Sequence, residues 1–445
     1  MYPRAVRPVF HHPPDAGVSS QVAKHFRHNF FVNASDGLAW LFGESFVASS
    51  TILPVFISTL TNSPLIIGLI PAIRDTGWFL PQLFLAPWVE RRQRQLPTVI
   101  WLGLVERIPY LALSLVAFGM MGFTSQKALV IFLLILVWKS VTSGLVALPW
   151  QELISRVIPV SHRGRFSSFT WVAGYLAAIL GAAISGFILT HIPYPTNYAL
   201  CFFLAFLSVM LSLAFLTLNR EPSLSNYLPH QQTTTGFFDR IKQILKRSHN
   251  FRVFLISRVF SYLGGMALGF IAVYSLQRFG LPDAHAAIFT SFSMVGGTLG
   301  FGLSGFVGDR LGHKRVLELS SVFWVVGLLL LLWAPNVHWI YFVFALISFA
   351  STWGTLGDFN IVLEFGNENE RPLYIGIART LTGPVLLVAP VLAGGIVGLG
   401  GYLLMFGVSL VFAFANLLIL TFLVNEPRLV AINPTSPQND TPHNG

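Results

Sequence analysis

The chain has 445 residues, of which 54% are hydrophobic and only 10% charged, against about a quarter charged in a soluble domain. No soluble core hides that much apolar surface, so the composition points to a bilayer, where a spanning helix takes about 20 mostly apolar residues. The net charge of +10 suits either nucleic acid or an anionic membrane surface, and the placement of the charges decides between them.

Residues 1–29 hold His, Pro and Arg without an apolar run, which predicts a tail and no cleavable signal peptide. Apolar runs follow at 30–57, 65–87, 97–118, 128–150, 168–191 and 197–218. The longest hydrophilic stretch between runs, 219–252, comes next. Within it Phe237, Phe238, Ile241, Ile244 and Leu245 recur at helical spacing among Arg240, Lys242, Lys246 and Arg247, the pattern of a basic amphipathic helix on a leaflet surface. Six further runs occupy 253–276, 286–308, 316–334, 338–361, 375–398 and 400–424, ahead of a tail at 425–445. An open strand edge leaves backbone groups unsatisfied in lipid, so these runs are expected to be helices. The expected fold is an all-α membrane protein of twelve transmembrane helices, in two related six-helix bundles at 30–218 and 253–424 with a linker at 219–252.

With the N-terminus inside, 22 of the 28 Lys and Arg residues fall on the cytoplasmic side, Arg379 counted among them, and only Lys127 and Arg278 fall opposite. That asymmetry predicts a multi-pass cell-membrane protein with both termini cytoplasmic. It also makes the positive charge topological, so no nucleic acid is expected. The lone cysteine, Cys201, lies inside an apolar run and excludes an internal disulfide or a multi-Cys metal site.

The halves read as repeats. Arg163, Gly174 and Gly186 at the fifth span match Arg371, Gly383 and Gly394 at the eleventh, and Glu90-Arg91-Arg92 after the second matches Asp309-Arg310 after the eighth. Parallel six-helix repeats with a site between them are a recurrent transporter design. The loop Gly305-Phe306-Val307-Gly308-Asp309-Arg310-Leu311-Gly312-His313-Lys314-Arg315 resembles the signature loop of the major facilitator superfamily. The resemblance covers roughly 30–424 and implies a latch between states of a transport cycle, with Gly305, Asp309, Arg310 and Gly312 in the second half. Glu90 and Arg91 stand at the first-half equivalent, where both glycines are missing. The drug/proton antiporter branch carries Gly-Pro in its fifth helix. Here Gly383-Pro384 is in the eleventh, so that branch is an alternative without support from its motif.

Ionisable residues deep in a bilayer cost about 2.5–3.5 kcal/mol each on insertion scales, which makes them functional candidates. Glu44, Arg74, Asp75, Glu106, Arg107 and Lys139 all fall in the first four spans. Asp36, Trp40 and Glu44 recur every four residues on one helix face, and Pro71, Asp75, Trp78 and Gln82 form a second stripe. These faces are expected to line a central cavity, with Glu44, Asp75 or Glu106 accepting a proton and Trp40 and Trp78 available for stacking. The bland reading is that the charges form fixed interhelical bridges. Neighbouring Arg-Asp and Glu-Arg residues point about 100° apart on a helix and need not pair with each other. Arg258 and Asp358, nearer the cytoplasmic ends, are expected at a gate. Gly296 and Gly300 have the spacing of close helix packing.

The expected function is secondary active transport of a small solute by alternating access, coupled to a proton, by a monomer in the lipid bilayer without cofactor or metal. All twelve histidines fall in tails, loops or helix ends, and no phosphate-binding Gly loop occurs, which argues against a membrane enzyme or an ATP-driven pump. A sensor on the transporter fold is the other rival class.

Overall fold

The computed structural model describes residues 20–90, 92–119, 122, 124–222, 237–366 and 370–427. The remainder of both predicted tails lies outside the described residues. Fourteen α-helices follow in order among the described residues. The first half holds α1 (Ser20–Ser45), α2 (Ile52–Leu60), α3 (Pro64–Glu90), α4 (Leu96–Gly119), α5 (Ser125–Val157), α6 (Val160–His191) and α7 (Thr196–Thr217). After α8 (Phe237–Arg247), the second half holds α9 (His249–Gly264), α10 (Ile271–Phe279), α11 (His285–Leu311), α12 (His313–Trp333), α13 (Val337–Phe365) and α14 (Arg371–Leu418).

Nine helical segments among the described residues are long and apolar enough to cross a membrane. One of them, Leu373–Leu423, turns at Gly401, where φ is 78° and ψ 178°. That backbone is essentially glycine's alone, and it makes two spans of one helix. With the pair α1–α2 and with α3, the set accommodates the twelve spans predicted. Large apolar side chains such as Trp101, Leu180 and Val411 face outward, as a lipid-facing surface requires.

The first span of each half is broken, which the apolar pattern did not reveal. In the first half, helix stops at Ser45, whose hydroxyl donates to the Phe42 carbonyl, and resumes at Ile52. In the second, Gly264, Gly265 and Gly269 interrupt 253–276. The freed carbonyl of Gly264 is satisfied by Trp324 Nε1 at 3.1 Å and Ser409 Oγ at 2.5 Å.

Within the first half α1 packs on α6 and α7, α3 on α5, and α4 on α5 and α7. Within the second, α9 packs on α14, and α13 on both α11 and α12. The repeat has a structural counterpart at its arginines. Arg163 at the start of α6 donates to the carbonyls of Ser155 and Ile158 at the end of α5, and Arg371 at the start of α14 donates to Leu363 near the end of α13. The Gly296/Gly300 pair works as its spacing predicts, since a Cβ on Gly296 would meet the backbone of Ala345 in α13. The amphipathic α8 is tied to protein as well as suited to a leaflet. Ile244 is buried in a cluster with Phe251, Phe254 and Tyr374, and Arg247 bridges to Glu370 at 3.0 Å.

The halves meet along α3 against α14 and α6 against α11. Trp171 of α6 stacks on Phe301 of α11 at 5.0 Å. At the face away from the chain termini, α2 touches α10 and α11. There Thr51 and Thr290 share a 2.5 Å hydrogen bond, and Tyr198 donates to Asp283 at 2.9 Å. That face is closed.

Candidate functional site

Between the halves lies a cavity of about 330 Å³. One wall is α3, which contributes Pro71, Arg74, Asp75 and Phe79; the rest comes from α9, the break after it, α12, α13 and α14. Arg258, Asp358 and Arg379 carry its second-half charge, and Tyr262, Trp324 and Phe79 are its aromatic lining. The position of the broken helix matters here. Gly269 lacks a side chain where the cavity wall passes close to α3, and a Cβ there would lie 3.0 Å from Pro71.

The predicted charges sort into three groups. Lys139 Nζ of α5 is 3.0 Å from Glu44 Oε1 of α1, and the Tyr110 hydroxyl of α4 donates to the same oxygen. Lys139 also lies over the Tyr110 ring, 4.8 Å from its centroid. Glu44 keeps 23% of its side chain accessible. The second group is buried. Arg107 Nη1 is 2.6 Å from Glu106 Oε2, and Ser143 donates to the other carboxylate oxygen at 2.7 Å. Arg107 further donates to the carbonyls of Gly103 and Val209 and to Ser212 Oγ, and Ser212 donates to Asp36 at 2.6 Å. This cluster stitches α1, α4, α5 and α7 together. The third group is Arg74 and Asp75, paired at 2.8 Å on the cavity wall, with Arg74 donating to Ser49 at the break in the first span.

Both sequence-adjacent pairs therefore do bridge to each other, although their backbone directions diverge by about 100°. The arginine stem is long enough to fold back across its neighbour. Trp40 packs partly buried against the main core, and Trp78 lies where Gly144 of α5 meets α3. The cavity lining includes neither. On α3 the exposed stripe runs through Pro71, Arg74, Asp75 and Phe79, one position round from Trp78.

Arg258 and Asp358 line the cavity itself, alongside Arg379. Asp358 sits between the two arginines, 3.7 Å from Arg258 Nη1 and 3.8 Å from Arg379 Nη1. Arg258 Nη2 reaches Asn416 Oδ1 at 3.4 Å, while Ser257 donates to that oxygen at 2.7 Å and Asn416 donates to Ser321 at 2.8 Å. Arg379 and Asn416 escaped the sequence reading. Arg379 was counted with the terminal-face charges, but it lies in the third turn of α14 and faces the cavity. Asn416 is one amide in an otherwise apolar run, a signal that polarity within a span supplies.

At the predicted latch, Gly312 has φ 84° and ψ 157° and caps α12. His313 is 2.6 Å from Glu364, and Lys314 and Arg315 both reach Glu318. The surroundings of Gly305, the side chains of Asp309 and Glu90, and all of Arg91 lie outside the described residues; Arg310 is exposed in the last turn of α11. The first-half loop is held by other means. Glu221 accepts from the backbone N–H groups of Gln95 and Leu96 at the start of α4, at 2.8–3.0 Å, where the helix dipole favours an anion. Arg156 bridges Glu221 at 3.1 Å and Glu152 at 2.9 Å and donates to the carbonyls of Arg92 and Gln93. Among the described residues no group of three or more His, Cys, Asp or Glu side chains is placed to hold a metal ion.

Residues 254–442 match the model of the Major Facilitator Superfamily. Two curated relatives from Arabidopsis thaliana share short stretches: Monosaccharide-sensing protein 2 is 39% identical over 69 residues, 15% of this chain and 9% of that protein. Monosaccharide-sensing protein 1 is 34% identical over 79 residues, 18% and 11%. The matches thus span about a tenth of those relatives. Among solved structures, a D-xylose-proton symporter superposes with a TM-score of 0.68 at 16% identity, over 91% of this chain and 99% of that one. The nucleoside transporter NupG gives 0.62 at 15% identity, over 88% and 97%. These likenesses carry the fold. By sequence the second half resembles the Major Facilitator Superfamily, and by fold nearly the whole chain resembles these solved transporters.

Proposed function

We propose that the chain is a secondary active transporter that carries a small polar solute through the cavity between its halves by alternating access, coupled to a proton at Glu44. The observation that carries this reading is the cavity, walled by both halves, lined with charge of both signs, and closed at one face by Thr51–Thr290 and Tyr198–Asp283. A charged cavity between apolar helices serves a solute path better than it serves packing.

Glu44 fits the coupling role by its surroundings. Protonating its carboxylate cancels the attraction to Lys139 and leaves Tyr110 as its neutral partner, so the contact joining α1 to α5 weakens when the proton arrives. Glu106 is held by Arg107 and Ser143 in a saturated cluster and suits a fixed bridge. Under this reading the termini and the basic loops are cytoplasmic, by the distribution of Lys and Arg. The protein acts as a monomer in the cell membrane.

Screening the purified protein against metabolite and drug libraries by thermal shift at two pH values identifies candidate solutes. Uptake is then followed in proteoliposomes under an imposed pH gradient. Wild type accumulates the solute when the gradient drives it, and Glu44→Gln exchanges the solute without accumulating it. Accumulation by Glu44→Gln equal to wild type overturns the coupling assignment. Binding without any flux favours the sensing role that the names of the two plant relatives raise.

A further inference from the structure

The second-half wall of the cavity carries more positive charge than its own groups neutralise. The cavity lining as a whole holds three arginines and two aspartates: Arg74 and Asp75 from α3, and Arg258, Arg379 and Asp358 from the second half. Arg74 and Asp75 satisfy each other at 2.8 Å. Asp358 is shared by the remaining two arginines at 3.7 and 3.8 Å, beyond the 2.7–3.2 Å of a made N–H···O bond. Charge balances halfway, and hydrogen bonding hardly at all.

Arg258 shows the deficit most clearly. Its side chain is 6% exposed, and its Nε has no hydrogen-bond partner among the described residues. Its one other polar contact, Asn416 Oδ1 at 3.4 Å, is with an oxygen already taken by Ser257 at 2.7 Å. Buried polar groups in folded proteins are nearly always paired, so an orphaned guanidinium donor beside a cavity calls for an explanation. A small void of about 10 Å³ on the far side of Arg258, Asp358 and Arg379 has room for about one water molecule. A larger partner must come from the cavity.

We propose that Arg258 and Arg379 form an anion subsite, which receives the carboxylate or other oxyanion group of the transported solute. Asp358 holds the two guanidiniums in its absence. The planar forks of two arginines suit an oxyanion, which takes several charge-assisted bonds at once. Tyr262, Trp324 and Phe79 line the same cavity and supply surface for an aromatic or apolar body. The solute class is therefore a small organic anion with an unsaturated or aromatic frame. This inference rests on the cavity being the transport site.

The test uses the purified full chain in detergent, with thermal stability followed against increasing benzoate, phenylacetate and cinnamate, and against their primary amides as neutral isosteres. The carboxylates are expected to stabilise at half-saturating concentrations at least about tenfold below those of the amides, the scale of one lost charge-assisted interaction. Asp358→Asn removes the internal competitor and is expected to lower the carboxylate half-saturation about threefold or more. Arg258→Lys keeps the charge, loses the fork, and is expected to raise it. Asp358 as a purely structural bridge predicts the opposite, a less stable protein with no gain in carboxylate response. Equal stabilisation by amides, no stabilisation by any carboxylate, or weaker carboxylate binding in Asp358→Asn overturns the proposal. The transport reading fails separately: Ser261→Cys on the cavity wall would then react with impermeant thiol reagents from one face of the membrane only, in every condition.

Discussion

Glu44 and Glu106 are both acids near mid-span and both meet a cation, but Glu44 is partly accessible and Glu106 is sealed. Every strong contact of Glu106 is matched, and Arg107 spends its donors on two carbonyls, a serine and the carboxylate. Removing the charge strands a buried guanidinium. Glu106→Gln is expected to cost about 3–5 kcal/mol, seen as a lower melting temperature whatever the solute or pH. Glu44→Gln is expected to cost less, because water reaches the Glu44 side chain and the buried Lys139 keeps the Tyr110 ring over which it lies. A melting temperature for Glu44→Gln as low as that of Glu106→Gln would assign Glu44 to structure. Gly312 is set by backbone instead of charge. At φ 84° and ψ 157°, and with Glu426 Oε2 3.0 Å from where a Cβ would be, Gly312→Ala is expected to cost roughly 1–3 kcal/mol, measured by thermal unfolding of the purified protein.

At the scale of elements, glycines and small hydroxyls decide where helices stop and how closely they approach. Gly296 lies against the backbone of Ala345, whereas Gly302 on the same helix faces open space. Gly296→Ala is therefore expected to destabilise by about 1–3 kcal/mol through the α11–α13 contact, and Gly302→Ala hardly at all; equal melting temperatures for the two would refute that packing. Span existence was legible because apolar length is a strong local signal. The breaks at 46–51 and 265–270 were not, because an apolar run looks the same whether its backbone is helical or turned. The cavity stripe on α3 was legible at Pro71 and Asp75 and missed at Phe79, since periodicity shows a face but not which part of it a neighbouring helix covers. Arg379 was misplaced for a related reason. A charge near a span end reads as loop, and only the long helix α14 carries it into the cavity.

Across the whole molecule the two halves use matching parts unequally. Glu221 follows the sixth span and caps the start of α4, and Glu426, in the same Glu-Pro setting after the twelfth, lies beside Gly312 at the start of α12. The first half concentrates buried charge in helix-to-helix bridges, while the second half supplies most of the cavity wall. Under the proposed function, that division separates a coupling element from a solute-binding element within one fold. It requires the halves to move about the cavity, and the closed face must open. The direct test joins Thr51→Cys and Thr290→Cys by oxidation in sealed proteoliposomes, with Cys201 replaced by Ser and Ser261→Cys as the cavity reporter. Uncrosslinked protein is predicted to let impermeant thiol reagent reach position 261 from both faces, and crosslinked protein only from the face of the chain termini. Labelling from both faces after complete crosslinking would contradict the account.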